Sequence, residues 1–274
     1  MNGTSLKLAV LGDPIAHSRS PDIHALFGQQ LGLDVDYRRI QSGVDALPAR
    51  LQAFQSAGGQ GANLTVPLKE AGLALCQRLD MAARQAGAVN TLKLAGKHWH
   101  GYNTDGGGLL MDLERLGVAV KDARVLIIGA GGATAGILGP LLAARPARVH
   151  LLNRSPERAQ ALVGRFAGLG NLTGSALDTP GEAALDNDLL IQSTSLGHAG
   201  QRPPLQVDWL KPEGTLYDLN YGPAFAPVAA WSSGHSRAAV DGLGMLVGQA
   251  ALAFEIWTGH RPAIGPVIEA IRAA

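Results

Sequence analysis

Apolar positions fall in two series along this chain, each alternating short β-type runs with stretches of helical period. In the first hundred residues LKLAVLG, DYRRI, ANLTV and VNTLKL read as strands, and residues 22–31, 46–54 and 69–86 read as helices between them. A second series opens at Arg124 with RVLIIG and continues through RVHLLN, DLLIQST and GTLYDL, again with helical stretches between. Such alternation predicts an α/β fold of two domains with two mostly parallel sheets, each covered by helices. The triplet from Gly106 to Gly108 opens the amphipathic run LLMDLERLG between the series and reads as a hinge. The tail, MLVGQAALAFEIWTG then PAIGPVIEAIRAA, is helical with no strand of its own to cover, so it is expected to return to the first domain. The expected division is residues 1–105, completed by 242–274, and residues 106–241.

Polar side chains with chemical capability interrupt the first series at GANLTVPLKE, GAVNT and NTDGG. The proline after Val66 is expected to stop a strand and start the next helix, which sets Thr65 and Lys69 around the strand's carboxyl end. Ligands of α/β sheets bind at such ends. A lysine there, with Asp105, Thr65 and Asn90 as partners, can hold a polyol and move a proton, which points to an enzyme.

The second series holds RVLIIGAGGATAG. Gly129, Ala130, Gly131, Gly132 and Ala133 lie between a strand and a helix, where bare backbone approaches a pyrophosphate at the helix amino terminus. Thr134 replaces the third glycine of the usual spacing. After the next strand comes Asn153-Arg154-Ser155, where an NAD-selective site carries an acid. Arg154 and Arg158, at i and i+4, are expected to share a helix face and bind a 2′-phosphate, so the pattern favours NADP. The uncharged stretch 125–144 is long enough to cross a bilayer, but its glycines and Pro140 make it strand, turn and helix.

Composition changes this picture little. With 23 Lys and Arg against 22 Asp and Glu the formal net charge is +1, which argues for a small-molecule ligand over nucleic acid or a membrane surface. The lone Cys76 excludes an internal disulfide framework. The start, MNGTSLKLAVLGDP, has too short an apolar run for a signal peptide, so a cytoplasmic location is expected. His98 and His100 lie in KHWHGY, read as a hairpin edge without a ligand set, and no metal is expected.

GDPIAHSRSP, GANLTVPLKE, GAVNT, NTDG, GAGGAT, NRS and DGLGMLVGQAA, in this order from about Leu8 to the last helix, resemble the shikimate dehydrogenase family. The resemblance implies an N-terminal α/β substrate domain, a Rossmann-like NADP-binding domain and reversible reduction of 3-dehydroshikimate to shikimate with NADPH, on the way to chorismate and aromatic amino acids. It implies that Ser18, Ser20 and Tyr221 hold the substrate carboxylate, that Thr65, Asn90, Asp105 and Gln249 bind ring hydroxyls, and that Lys69 is catalytic with Asp105. Gly242 matches a backbone contact near the nicotinamide. The chain departs from the family pattern at Gln192-Ser193-Thr194-Ser195, where NATS is usual, and at Asn220, where an apolar or aromatic residue is usual. A quinate/shikimate dehydrogenase of wider specificity and a non-catalytic NADP-binding regulator are the alternatives. Arg154 speaks against the first, the presence of Lys69 and Asp105 against the second. The expected working form is a monomer or homodimer.

Overall fold

A computed structural model describes residues 5–274; the first four residues of the segment weighed as a leader lie outside the described residues. The chain forms two compact units, residues 1–108 with 247–274, and residues 109–246. In the first, strands β1 (Leu6–Gly12), β2 (Val35–Gln41), β3 (Gly61–Leu64), β4 (Cys76–Leu79), β5 (Thr91–Ala95) and β6 (His98–Tyr102) form one sheet in the order β2-β1-β3-β5-β6-β4. Helices α1 (Ser20–Leu31), α2 (Leu47–Ser56), α3 (Met81–Ala86) and the start of α4 (Asp105–Arg115) alternate with these strands. Leu8 to Leu11 are buried on both faces of β1, the continuous apolar run of a strand covered twice. Each buried leucine contributes roughly 2 kcal/mol, whereas an exposed pair such as Arg38–Asp36 contributes less than about 1, so the core holds this sheet.

The second unit contains β7 (Arg124–Ile128), α5 (Gly132–Ala143), β8 (Arg148–Asn153), α6 (Pro156–Arg165), β9 (Leu172–Ala176), β10 (Asn187–Gln192), β11 (Leu210–Asp218), α7 (Ala226–Gly234) and β12 (Ala238–Val240). Its sheet runs β12-β11-β10-β7-β8-β9 with every pair parallel. The stretch weighed as a membrane span is β7, a turn and α5; among the described residues no helix is long and apolar enough to cross a membrane. Two final helices, α8 (Leu243–Thr258) and α9 (Ile264–Ala273), complete the first unit from Val247 onward. There Trp257 Nε1 donates to the Leu92 carbonyl at 2.9 Å, and Gln30 exchanges two bonds with the Ala263 backbone, both at 3.1 Å.

Several expectations need correction. Residues 69–86 are not one helix: a short 3₁₀ turn (Ala71–Leu75) leads into β4, and α3 starts afresh where the Asp80 side chain accepts the Ala83 amide at 2.7 Å. β4 pairs in parallel with β6, so the strand carrying His98 and His100 is interior to the sheet. The first sheet is mixed, because β5 runs antiparallel to both β3 and β6.

The glycine triplet is helical, not a hinge loop. The unit boundaries fall inside α4 and α8, after Gly108 and before Val247, within a few residues of the expected division. A Cβ on Gly108 would lie 2.8 Å from the Gln249 Cα, and one on Gly248 would lie 2.7 Å from the Gly108 carbonyl oxygen. These glycines are needed for a close helix crossing.

Candidate active site

β3 ends at Leu64, and the chain turns as the Leu68 amide donates to the Thr65 carbonyl at 2.7 Å. The Lys69 carbonyl accepts from the Val89 amide at 2.8 Å, which holds the backbone that carries the lysine. Asp105 is the first residue of α4, and its amide donates to Asn103 Oδ1 at 3.1 Å. Lys69 Nζ donates to Asp105 Oδ2 at 2.6 Å, and Asn90 Nδ2 donates to Oδ1 at 2.8 Å. The carboxylate is buried, while the lysine side chain stays 30% exposed. The ammonium is thus the accessible end of the pair.

The surroundings dictate which way Asn90 points. Its Oδ1 accepts from Thr91 Oγ1 at 2.9 Å and from the Thr104 amide at 2.9 Å, so its NH2 group faces Asp105. Behind it Asn63 Nδ2 donates to Thr91 Oγ1 at 3.0 Å, and Tyr37 donates its hydroxyl to Asn63 Oδ1 at 2.6 Å. Gln249 Oε1 lies 3.4 Å from Asn90 Nδ2 and 3.5 Å from Thr104 Oγ1. A buried network satisfied in this way is rigid, because breaking one bond strands its partner.

Ser18 and Ser20 sit at the start of α1, with Ser18 Oγ donating to Ser20 Oγ at 3.2 Å. Arg39 grips the Ser18 carbonyl through Nε at 3.0 Å and Nη2 at 2.6 Å. The Ser20 amide, the first of α1, donates to Ser18 Oγ at 3.3 Å, so two hydroxyls lie at the positive end of a twelve-residue helix, an arrangement suited to a carboxylate.

The second unit contains a cleft of about 430 Å³ lined by the glycine turn, Asn153 to Ser155, Arg158 and Ser193 to Leu196. Gly129 takes a φ of +111°, and a Cβ at Gly131 or Gly132 would meet nothing within 4 Å, so bare backbone faces open space at the start of α5. Asn153 joins the turn to the next element: its Oδ1 accepts the Ala130 amide at 3.2 Å and its Nδ2 donates to the Ser155 carbonyl at 2.9 Å. Thr134 is fully buried, with its hydroxyl 2.9 Å from the Gly129 carbonyl and 2.6 Å from Ser193 Oγ. The third glycine position is therefore filled by a side chain that ties turn to wall. Arg154 and Arg158 both line the cleft and belong to no ion pair among the described residues. The open backbone, the uncapped helix and two unpaired guanidiniums fit a dinucleotide carrying an extra phosphate.

The expected helix-face geometry of Arg154 and Arg158 is wrong, however. α6 begins at Pro156 after Ser155, so Arg154 precedes the helix and reaches the cleft from the loop. Lys69, Asn90, Asp105 and Gln249 are brought together, and Thr65 lies at the end of β3 beside the Gly12 end of β1. Tyr221 and Gly242 belong to the second unit, Gly242 donating its amide to the Asn220 carbonyl at 2.8 Å. Tyr37, Asn63, Thr91 and Thr104 were missed by sequence reasoning. Only Thr91 and Thr104, within GAVNT and NTDG, carried a signal. Cys76 is half-buried and its thiol is pushed up to about 11 by burial, so it holds no reactive thiolate at neutral pH.

A two-unit α/β chain with a polar side-chain cluster at the end of one sheet and a dinucleotide-type cleft at the end of the other has the organisation of a nicotinamide-dependent oxidoreductase. Residues 10–92 match the family model of the shikimate dehydrogenase substrate binding domain, residues 113–200 that of shikimate / quinate 5-dehydrogenase, and residues 242–272 that of the shikimate 5'-dehydrogenase C-terminal domain. A shikimate dehydrogenase (NADP(+)) of Bordetella petrii is 47% identical over 277 residues, covering 97% of this chain and 95% of the relative. The crystal structure of shikimate 5-dehydrogenase from Thermus thermophilus in complex with NADP(H) and shikimate superposes with a TM-score of 0.87 at 36% identity, over 98% of this chain and 99% of that one. An Ael1 enzyme from Pseudomonas putida reaches a TM-score of 0.90, also at 36% identity, over 97% of this chain and 98% of that one. The chain belongs to the shikimate dehydrogenase family.

Proposed function

We propose that the protein catalyses the reversible NADPH-dependent reduction of 3-dehydroshikimate to shikimate, in the synthesis of chorismate and the aromatic amino acids, with Lys69 and Asp105 as the catalytic pair. The observation that carries this reading is the 2.6 Å contact of Lys69 Nζ with an Asp105 carboxylate whose other oxygen is held by Asn90, in a chain 47% identical to an NADP(+) shikimate dehydrogenase. Most substrate contacts come from the first unit and the cofactor contacts from the second.

Bound NADPH supplies a hydride to the carbonyl carbon. Negative charge then grows on the carbonyl oxygen, and the exposed ammonium of Lys69 stabilises it and gives it a proton. Asp105 keeps the lysine in place and accepts a bond from a ring hydroxyl. Asn90, Thr65 and Gln249 pair with the remaining hydroxyls, and an analogue lacking a hydroxyl leaves these buried groups unpaired. Ser18 and Ser20, with Tyr221 as a further donor, take the carboxylate. In the second unit Gly129 to Ala133 receive the pyrophosphate, Asn153, Arg154, Ser155 and Arg158 the 2′-phosphate end, and Gly242 a backbone contact near the nicotinamide.

One family model is described as shikimate / quinate 5-dehydrogenase, so quinate is the competing substrate. Initial rates with shikimate and quinate, each with NADP and NAD, separate the readings. Shikimate with NADP is expected to be fastest by a wide margin. Equal rates with quinate, or with NAD, would replace this reading by a broad-specificity enzyme.

A further inference from the structure

The two departures from the family pattern, at Gln192 and Asn220, meet on the same partners. Gln192 ends β10 and Asp218 ends β11, opposite each other in parallel register, and both are fully buried. Gln192 Oε1 accepts the Thr194 amide at 2.5 Å, while its Nε2 lies 3.2 Å from both the Thr194 carbonyl oxygen and Asp218 Oδ1. Asn220 Nδ2 donates to the same two oxygens, to Thr194 at 3.0 Å and to Asp218 Oδ1 at 2.9 Å, and its backbone amide adds a third bond to Asp218 Oδ1 at 2.9 Å. Both backbone polar groups of Thr194 are thus held by side chains. The residues so fixed, Ser193 to Leu196, form one wall of the cleft, and Ser193 also meets Thr134 of the glycine turn.

We propose that Gln192, Asp218 and Asn220 act as one clamp of positioning residues that sets this wall and thereby the affinity for the nicotinamide dinucleotide. This rests on the reading of the cleft as the NADP site. Gln192 acts on the cleft wall through Thr194, so the loss of its bonds should register in cofactor binding more than in substrate binding. Because the two amides share their partners, their effects should not add.

The test is calorimetric titration with NADP+ together with steady-state kinetics on purified, folded variants. Gln192→Met keeps the volume and loses the bonds, and should raise the NADP+ Kd and the KM for NADPH about five- to tenfold, with the KM for shikimate within about twofold. Asn220→Ala should weaken binding alone but add little to Gln192→Met. Asp218→Leu should resemble Gln192→Met, and Asp218→Asn, which keeps the acceptor oxygen, should recover most of the loss. An NADP+ Kd within about twofold of the parent in folded Gln192→Met, an equal rise in both KM values, or strictly additive losses would overturn the clamp. Arg154→Ala is the separate control: unchanged NADP+ affinity there would sink the cofactor reading itself.

Discussion

The Lys69 cluster and the glycine-turn cleft solve the problem of holding a polar ligand in opposite ways. In the first unit side chains are already bonded to one another: lysine to carboxylate, carboxylate to Asn90, Asn90 to Thr91 and Thr104. In the second the cleft presents open backbone and guanidiniums outside any ion pair, while its order lies behind the surface, in Thr134, Asn153 and Gln192. Chemistry on a carbonyl needs groups aimed to within tenths of an ångström, which demands mutual bonding before the ligand arrives. Holding phosphates needs unsatisfied donors, and these a bare helix end provides without side-chain geometry.

Replacement of Lys69 tests that contrast most severely. Lys69→Ala should lower turnover by about 100-fold or more with a smaller change in shikimate KM, and Asp105→Asn should damage both parameters and shift the pH profile of turnover. Near-normal turnover in folded Lys69→Ala would leave the prebuilt cluster as a binding site only.

Arg154→Ala should cost about 1.5 to 3 kcal/mol of NADP binding and leave NAD binding little changed. Equal losses for the two cofactors would show that the guanidinium does not meet the 2′-phosphate.

Two buried groups, one in each unit, should respond to acid with opposite sign. His24, fully buried among Tyr37, Phe27, Phe254 and Trp257, is pushed down by burial from 6.5 to about 3. The unfolded chain takes up this proton first, so His24 costs the first unit nothing above about pH 6.5 and up to roughly 1.4 kcal/mol per pH unit below it. Burial instead pushes Asp218 up from 3.8 to about 6, partly offset by its bonds from Asn220 and Gln192. At Asp218 the folded state therefore binds the proton first and gains as pH falls through 6 towards 3.8, whereas His150 of the same unit, pushed down by burial, works the other way. Amide exchange of β1 and α1 against β10 and β11, corrected for intrinsic rates, reads this directly. His24→Phe should flatten the slope of the first unit and Asp218→Asn should change that of the second; an unchanged slope in the folded variant would remove the corresponding contribution.

The smallest effect is expected at the serines. Ser18→Ala or Ser20→Ala should weaken shikimate binding by about 1 kcal/mol each, with cofactor affinity intact. Titration of both ligands checks this, and an unchanged shikimate affinity would place the carboxylate elsewhere.

Much of this contrast is legible in the sequence, for reasons that differ between the regions. The inner strands β7 and β10 of the parallel second sheet are buried on both faces, so they read as short continuous apolar runs such as VLII, bounded by a glycine turn or polar residues. β4, with Gln77 and Arg78 exposed, has no such signature and exists because β6 offers it a free edge, a long-range fact that the run after Pro67 does not encode. The pairing of Lys69 with Asp105 was anticipated from motifs at two strand ends. Tyr37 and Asn63 were not, because a polar residue inside a strand announces a partner only once the neighbouring strand is known. Gln192 and Asn220 stood out singly as departures. That they share two acceptors depends on the register of β10 with β11.

The crossing of α4 and α8 at Gly108 and Gly248 bears on how the enzyme's selectivity can drift or be engineered. Asp105 stands three residues before one glycine, and Gln249 directly follows the other, so two absent side chains act as the shim that sets the spacing of these two groups, proposed above to bind the substrate. A single methyl at either position would move helices rather than contacts. Substrate preference in this scaffold is therefore exposed to changes at residues that touch no substrate at all, and a search for altered specificity confined to pocket-lining positions would pass over its most direct mechanical adjustment.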